Sequence, residues 1–369
     1  MTSPSSANAV KLPNVLDFTP EELKIKFKDM GFEPYRADQV LQWIYEKGIY
    51  DFDRMTNLSL TVREKLKASF LIRHLEEAAR EKSHEDDSTK LLLKLNDKDF
   101  VETVYMPIQD RRTVCVSSQV GCKFHCAFCA SGQDGFFRNL KMGEILSQIL
   151  LARDLSPDKK ITNIVFMGIG EPFDNYKELL RTLRTLNSKN TLNIGARKMT
   201  VSTCGIVPKI EAFGEEGLQV ELSVSLHGPT DTVRGAIMPV NQAYPVKTLI
   251  DACKKYAKKT KRAITFEYIL IQGVNASEKE ARDLAKLLSA KGGSASGGKA
   301  VLCKVNLIPY NPIEEFPHEA PPYEAVVRFQ QILQEAGVRT TVRFSKGQDI
   351  QAACGQLRSV RNDHAKPVR

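Results

Sequence analysis

Thr113-Val-Cys-Val-Ser-Ser-Gln-Val-Gly-Cys-Lys-Phe-His-Cys-Ala-Phe-Cys129 decides how the rest of the chain is read. Its first residues, 113–117, alternate β-branched and small side chains and read as a strand. A loop with three cysteines follows. From here on the same unit recurs: strand, loop, helix. Further strands are expected at 161–167, 198–202, 219–225, 264–270, 303–307 and 338–344, and helices between them at 177–187, 246–259, 279–290 and 324–336. Such alternation means a parallel sheet covered by helices. Six or so repeats suit an α/β fold of the partial (β/α) barrel kind, whose chemistry sits at the C-terminal ends of the strands.

The cysteines Cys122, Cys126 and Cys129 have the spacing C-x3-C-x2-C. Three thiolates on one tight loop can bind three irons of a cubic cluster and leave the fourth iron open. An open iron can chelate the amino and carboxylate groups of S-adenosylmethionine (SAM) and pass one electron into its sulfonium. Structural zinc is the competing reading. Zinc takes four protein ligands, commonly from paired C-x2-C units, and the chain has no second such pair, although His125 lies within the loop.

Upstream, Thr19-Pro20-Glu21-Glu22 starts a helix, with Thr19 as cap, Pro20 in the first turn and Glu22 completing a capping box. Helical patterns follow at 37–47 and 60–70, so 1–88 is taken as an N-terminal helical accessory domain with 1–15 disordered. A hairpin (90–95 and 100–105) opens the barrel domain, 89–357. A basic tail, 358–369, ends the chain. The Gly/Ser-rich stretch 291–299 reads as a flexible surface loop. No run is long and apolar enough for a membrane span, and no secretory signal is evident. Lys and Arg total 53 against 44 Asp and Glu, a net charge of +9 that favours a polyanionic partner. Basic clusters lie at Arg111-Arg112, 254–262 and in the tail. A helix with a lysine-rich solvent face is the plainer account of 254–262. Four of the eight cysteines, Cys115, Cys122, Cys126 and Cys129, crowd together and the rest are scattered, a pattern of metal binding or catalysis more than of disulfides.

The blocks Thr113–Cys122, Gly135-Phe-Phe-Arg-Asn-Leu140, Phe166-Met-Gly-Ile-Gly-Glu-Pro172, Val201-Ser-Thr203, Ser225-Leu-His227, Asn306-Leu-Ile-Pro-Tyr-Asn-Pro312 and Asp349-Ile-Gln-Ala-Ala-Cys-Gly-Gln-Leu357 together resemble the RlmN/Cfr family of radical SAM RNA adenine methyltransferases. The resemblance runs over roughly residues 30–357. It implies a [4Fe–4S] cluster on Cys122, Cys126 and Cys129, and two molecules of SAM per turnover. The first would methylate Cys354. The second would yield a radical that takes a hydrogen atom from that methyl, and the resulting carbon radical would add to adenine. Cys115 would resolve the adduct, leaving a Cys115–Cys354 disulfide to be reduced, and Glu102 would accept a proton. Gly170, Glu171, Ser202, Ser225, Leu226, His227 and Asn311 would contact SAM.

Read alone, several of these residues are unremarkable in type. A lone Cys354 or Cys115 is more often an inert small apolar residue, Glu102 a solvated strand glutamate, and His227 a satisfied core histidine. Cys204, Cys253 and Cys303 match no motif and are assigned to packing. The Gly170-Glu171-Pro172 form leans towards the RlmN branch, making 2-methyladenosine in 23S rRNA and tRNA. A Cfr-type C8 methyltransferase is the near alternative, and an RNA-binding protein with a structural metal the distant one. The expected setting is a cytoplasmic monomer with no membrane partner, served by an electron donor such as a flavodoxin-type reductant.

Overall fold

A computed structural model describes residues 12–289 and 301–359. The loop expected at 291–299, most of the basic tail and residues 1–11 lie outside the described residues. Three helices begin the chain: α1 (Pro20–Asp29), α2 (Tyr35–Tyr45) and α3 (Leu60–Ser69). The capping box forms: Glu22 N–H donates to Thr19 Oγ1 (3.2 Å) and Thr19 N–H to Glu22 Oε2 (2.8 Å). Residues 13–15, within the stretch expected to be disordered, are instead held in place. Leu71 N–H donates to Pro13 O and Val15 N–H to Leu71 O, and Val15 and Leu16 are buried. The hydrophobic faces of these helices merge with the barrel core. Arg153, buried, donates to Tyr45 O across the junction (2.6 Å).

A ten-stranded sheet follows, in the order β1-β2-β3-β4-β7-β8-β9-β10-β11-β12. Strands β1 (Glu76–Lys82), β2 (Thr89–Lys94), β3 (Phe100–Ile108) and β4 (Arg111–Cys115) pair antiparallel. Residues 76–82 were assigned above to the helical part and are instead β1. Their sequence, Glu-Glu-Ala-Ala-Arg-Glu-Lys, favours helix by composition. The ladder to β2 overrides that preference, and the charged residues suit an exposed edge.

From β4 onward the sheet is parallel, through β7 (Asn163–Phe166), β8 (Met199–Thr203), β9 (Glu221–Ser225), β10 (Ile264–Leu270), β11 (Cys303–Pro309) and β12 (Thr340–Val342). This is the partial barrel the alternation implies. Between β4 and β7 lie a two-stranded ribbon, β5 (Gln119–Gly121) with β6 (Phe136–Asn139), and helix α4 (Met142–Asp154). The later crossovers carry α5 (Tyr176–Asn187), α6 (Val207–Phe213), α7 (Asp231–Ile237), α8 (Val246–Thr260), α9 (Glu278–Leu288) and α10 (Tyr323–Glu335). Every residue of β10 is buried, as expected for a strand covered on both faces.

After β12 the chain does not continue the wall. Residues 345–359 form a strap that crosses to the opposite edge of the sheet. At the β1–β2 turn Gly347 N–H donates to Asp86 Oδ2 (2.8 Å) and His84 N–H to Asp349 Oδ2 (2.9 Å), and on β3 Glu102 Oε2 accepts from Arg358 N–H (2.9 Å). Midway, Ala130 N–H donates to Gly355 O (2.7 Å), Ser131 Oγ–H to Leu357 O (2.7 Å) and Gly121 N–H to Ser359 Oγ (2.9 Å).

Candidate active site

The β5–β6 ribbon holds the cysteine loop at the C-terminal ends of the strands. Its pairing needs Gly121, whose φ is +71° and where a Cβ would lie 1.9 Å from Gly135 O. Within the loop Gln133 Nε2 donates to Cys126 O and Cys129 O, and Ala127 N–H to Ile237 O. Cys122, Cys126 and Cys129 all line one cleft, whereas His125 is exposed and absent from its wall. Among the described residues no three of His, Cys, Asp and Glu converge closely enough to hold a single ion. Three thiols around an open cleft, with no fourth protein ligand, fit a cubic cluster with one free iron better than zinc. Burial pushes the Cys122 thiol up to about 12 and Cys126 and Cys129 upward too, with repulsion from neighbouring cysteines adding at Cys122 and Cys126. Metal binding at this loop therefore has to displace protons.

The opposite wall is made by strand ends. Gly170, Glu171, Ser202, Ser225 and His227 all line the cleft. Glu171 is buried. Its Oε1 accepts from Phe173 N–H (2.9 Å) and its Oε2 from Cys204 N–H (2.7 Å). Burial still raises its pKa, and no cation of the described chain forms an ion pair with it. A buried carboxylate held by backbone donors and facing a cleft suits an ammonium group brought by a ligand. His227 accepts from Ile269 N–H at Nδ1 (3.0 Å), so the neutral ring carries its proton on Nε2. Burial, reinforced by the Arg234 guanidinium, depresses its pKa to about 3, and Phe128 packs edge-on against the ring.

Two expected SAM contacts are placed differently. The Leu226 side chain is in the core, outside the cleft wall. Asn311 is also outside it: Nδ2 donates to Ser345 Oγ (2.9 Å) and Cys354 O (3.0 Å), and Oδ1 accepts from Gln348 Nε2 (2.8 Å). Its amide clamps the strap. The motif order located Asn311 at the correct strand end, but it could not show that the strap would occupy the amide.

Gly170 has φ +97°, and a Cβ there would lie 2.5 Å from the Gln119 Cβ. Gln119 cannot retreat, because Nε2 donates to Asn139 and Asp174 while Oε1 accepts from Glu171 N–H. Gly170→Ala is expected to cost about 2–4 kcal/mol from backbone strain and overpacking, and to weaken SAM binding. Denaturant midpoints and SAM titration check this. A variant as stable as the parent would show that the turn at Gly170 is not built as described.

The strap delivers Cys354 to the cleft. The residue is surrounded by protein, yet its side chain is exposed, because its free surface faces cavity space. Burial raises its pKa, Arg343 pulls it down and Glu267 pushes it up. Cys115 ends β4 beneath the strap. It is buried, packs with Ala352 and Leu357, and is pushed up to about 12 by burial and then by Cys354. Glu102 is not in the cleft. Its carboxylate receives the Arg358 N–H and lies 3.4 Å from Lys90 Nζ, with burial raising its pKa against that pull.

Sequence reasoning passed over Glu267 and Arg343, which line the cleft beside Cys354. A signal existed for the first: a carboxylate in the middle of Ile-Thr-Phe-Glu-Tyr-Ile-Leu, an otherwise apolar-looking strand. Cys204, assigned to packing, is buried but also lines the cleft. Half of the basic cluster at 254–262 is paired locally: Lys255 with Glu211, Lys259 with Glu215, and Arg262 with Glu221.

Comparison with known proteins agrees with this architecture. Residues 13–72 match the family model of the ribosomal RNA large subunit methyltransferase N-terminal domain, and 116–285 that of the radical SAM superfamily. The chain is 46% identical over 345 residues to a probable dual-specificity RNA methyltransferase RlmN of Thermoanaerobacter sp. (strain X514), covering 94% of this chain and 97% of the relative. A protein of the same description from Bacillus pumilus is 43% identical over 350 residues, with 94% of each chain covered. A crystal structure of a radical SAM methyltransferase from Sphaerobacter thermophilus superposes with a TM-score of 0.87 at 42% identity, over 94% of this chain and 99% of that one.

Proposed function

Since the chain belongs to the RlmN family of radical SAM RNA methyltransferases, we propose that it forms 2-methyladenosine in 23S rRNA and tRNA by way of a methyl group carried on Cys354. As a radical SAM enzyme it works with a [4Fe–4S] cluster and SAM. The carrying observation is the exposed Cys354 held by the strap in the cleft lined by Cys122, Cys126 and Cys129.

Carbons C2 and C8 of adenine are poor nucleophiles, so polar transfer of the SAM methyl to them is not available and a radical route is needed. Cys354 as thiolate attacks the methyl carbon of a first SAM, and S-adenosylhomocysteine leaves with the old carbon–sulfur pair; Arg343 favours that thiolate. A cluster held by Cys122, Cys126 and Cys129 would supply the electron for reductive cleavage of a second SAM, which would generate the hydrogen-abstracting radical. The methyl on Cys354 gives up a hydrogen atom and its carbon adds to the base. The adduct would then lose the ring proton and return one electron to the oxidised cluster, which restores aromaticity. Cys115 then attacks the Cys354 sulfur, the carbon–sulfur pair passes to the methylene carbon, which takes up a proton, and a disulfide remains for an external reductant. Glu171 holds the SAM ammonium, and His227, neutral, offers an Nε2–H donor to the cofactor. Glu102 acts in this reading through proton uptake near the strap.

The proposed setting is the cytoplasm, with a flavodoxin-type electron donor and a monomeric enzyme. No helix of the described residues is long and apolar enough to cross a membrane. Expression in a bacterium lacking its own enzyme, followed by nucleoside analysis of its RNA, tests the product. The expected outcome is 2-methyladenosine in both rRNA and tRNA. A main product of 8-methyladenosine would place the chain's chemistry on the other carbon.

A further inference from the structure

The barrel contains a second cavity, lined by Cys115 and the Cys354 segment of the strap and by none of the cluster cysteines. Cys354, Met167, Glu267, Ile308 and Arg343 line both cavities. The three cluster cysteines line only the first, and Cys115 only the second. Cys354 is therefore a partition between them. A carbon on its sulfur must meet the radical from SAM and the base in succession, and two ligands cannot occupy one contact. The thiol that must reach the Cys354 sulfur once the base is attached lies on the second side.

Glu267 supplies an independent observation. It sits mid-strand on β10 and is 5% exposed. Its Oε1 accepts from Ser223 Oγ–H (3.0 Å) and Asn306 Nδ2–H (3.2 Å). Its Oε2 is buried with no hydrogen-bond partner. An orphaned buried carboxylate oxygen is costly and calls for a donor. On the base edges of adenine the sole N–H donor is the exocyclic amine; N1, N3 and N7 all accept. Met106, Met167 and Ile308 add apolar surface suited to the faces of a ring, and Arg111, Lys304 and Lys346 supply positive charge for a phosphate backbone.

We propose that the target adenine enters the barrel from this second side and that Glu267 Oε2 accepts a hydrogen bond from its exocyclic amine, making Glu267 a specificity-determining residue. This rests on the reading of Cys354 as methyl carrier. The contact selects the base and not the carbon, since C2 and C8 both lie on the ring away from the amine.

The test compares two synthetic 23S rRNA fragments, one with adenosine at the target position and one with purine riboside, which lacks the amine. Each is assayed for kcat/KM with the wild-type holoenzyme and with Glu267→Gln. Ser223 and Asn306 both donate, so the glutamine oxygen faces them and its NH2 faces the cavity, a donor set against a donor. Wild type should prefer adenosine by about tenfold or more, the effect of one buried hydrogen bond. In Glu267→Gln the ratio should fall below about threefold. Comparing the two ratios cancels any difference in ring reactivity. Equal loss on both RNAs, or a wild-type preference under threefold, would overturn the proposal. If Glu267→Gln is inactive on both, the two RNAs are compared by binding affinity, which ring reactivity does not affect: wild type should hold the adenosine RNA more tightly and the variant should not, and a preference retained by the variant would overturn the proposal. Failure of wild type to methylate the adenosine RNA would instead strike at the methyl-carrier reading.

Discussion

Cys354→Ala protein should retain its cluster and yet methylate no RNA, a loss on the order of 10⁴-fold or more, as for removal of any group through which all turnover passes. Wild-type protein made with its cluster intact should carry one methyl group on Cys354, and the variant none. Peptide mass spectrometry reads this directly. The partner experiment is Cys115→Ala. Cys115 lies beneath the strap and shares the second cavity with Cys354, so its removal leaves adduct formation possible and stops its resolution. RNA should accumulate covalently bound through Cys354. Normal turnover by Cys115→Ala would show that another group releases the product, and Cys204, in the neighbouring cleft, would be examined next.

Alanine at Cys122, Cys126 or Cys129 should reduce iron from about four per chain, the content of a cubic cluster, to background, and abolish SAM cleavage. The loss should be specific to the metal. The loop keeps its backbone ties to Ile237 O and Gln133 whichever thiol is removed, and the strap keeps its bonds to Asp86, His84 and Glu102. Metal-free wild type and variants should therefore unfold at similar denaturant concentrations. Stoichiometric zinc with no iron uptake by wild type would contradict the three-thiol reading of the cleft.

The barrel was readable because its strands and helices each have a distinct periodicity. The stretch 264–270 was located to the residue, and the first helix was legible through its cap. What the sequence concealed depends on contacts between distant segments. Strand β1 is composed of helix formers and is held by its partner alone. The role of Asn311 depends on where the strap lies, more than thirty residues further on. Glu102, expected at the reaction centre, receives a backbone N–H from residue 358, a pairing no local pattern announces. Glu267 was visible as an odd residue in its strand, but its unpaired oxygen appears only once Ser223 and Asn306 are seen to satisfy the other one.

The strap also fixes an order of events in folding. Apart from the Asn311 clamp, the strap ties described above join residues 225 to 265 positions apart in sequence, far beyond the strand-to-strand contacts of the barrel wall. Closing loops of that size carries the largest entropy cost in the molecule, so these contacts form after the wall they span. The nucleophile is thus installed last, on a barrel whose metal loop and cofactor wall already exist. The same long closures make the strap a natural unit of local opening. Hydrogen exchange at Gly347, Arg358 and Ser359 should accordingly be faster than at β10, and each such opening withdraws Cys354 from the cleft while the rest of the enzyme stays folded.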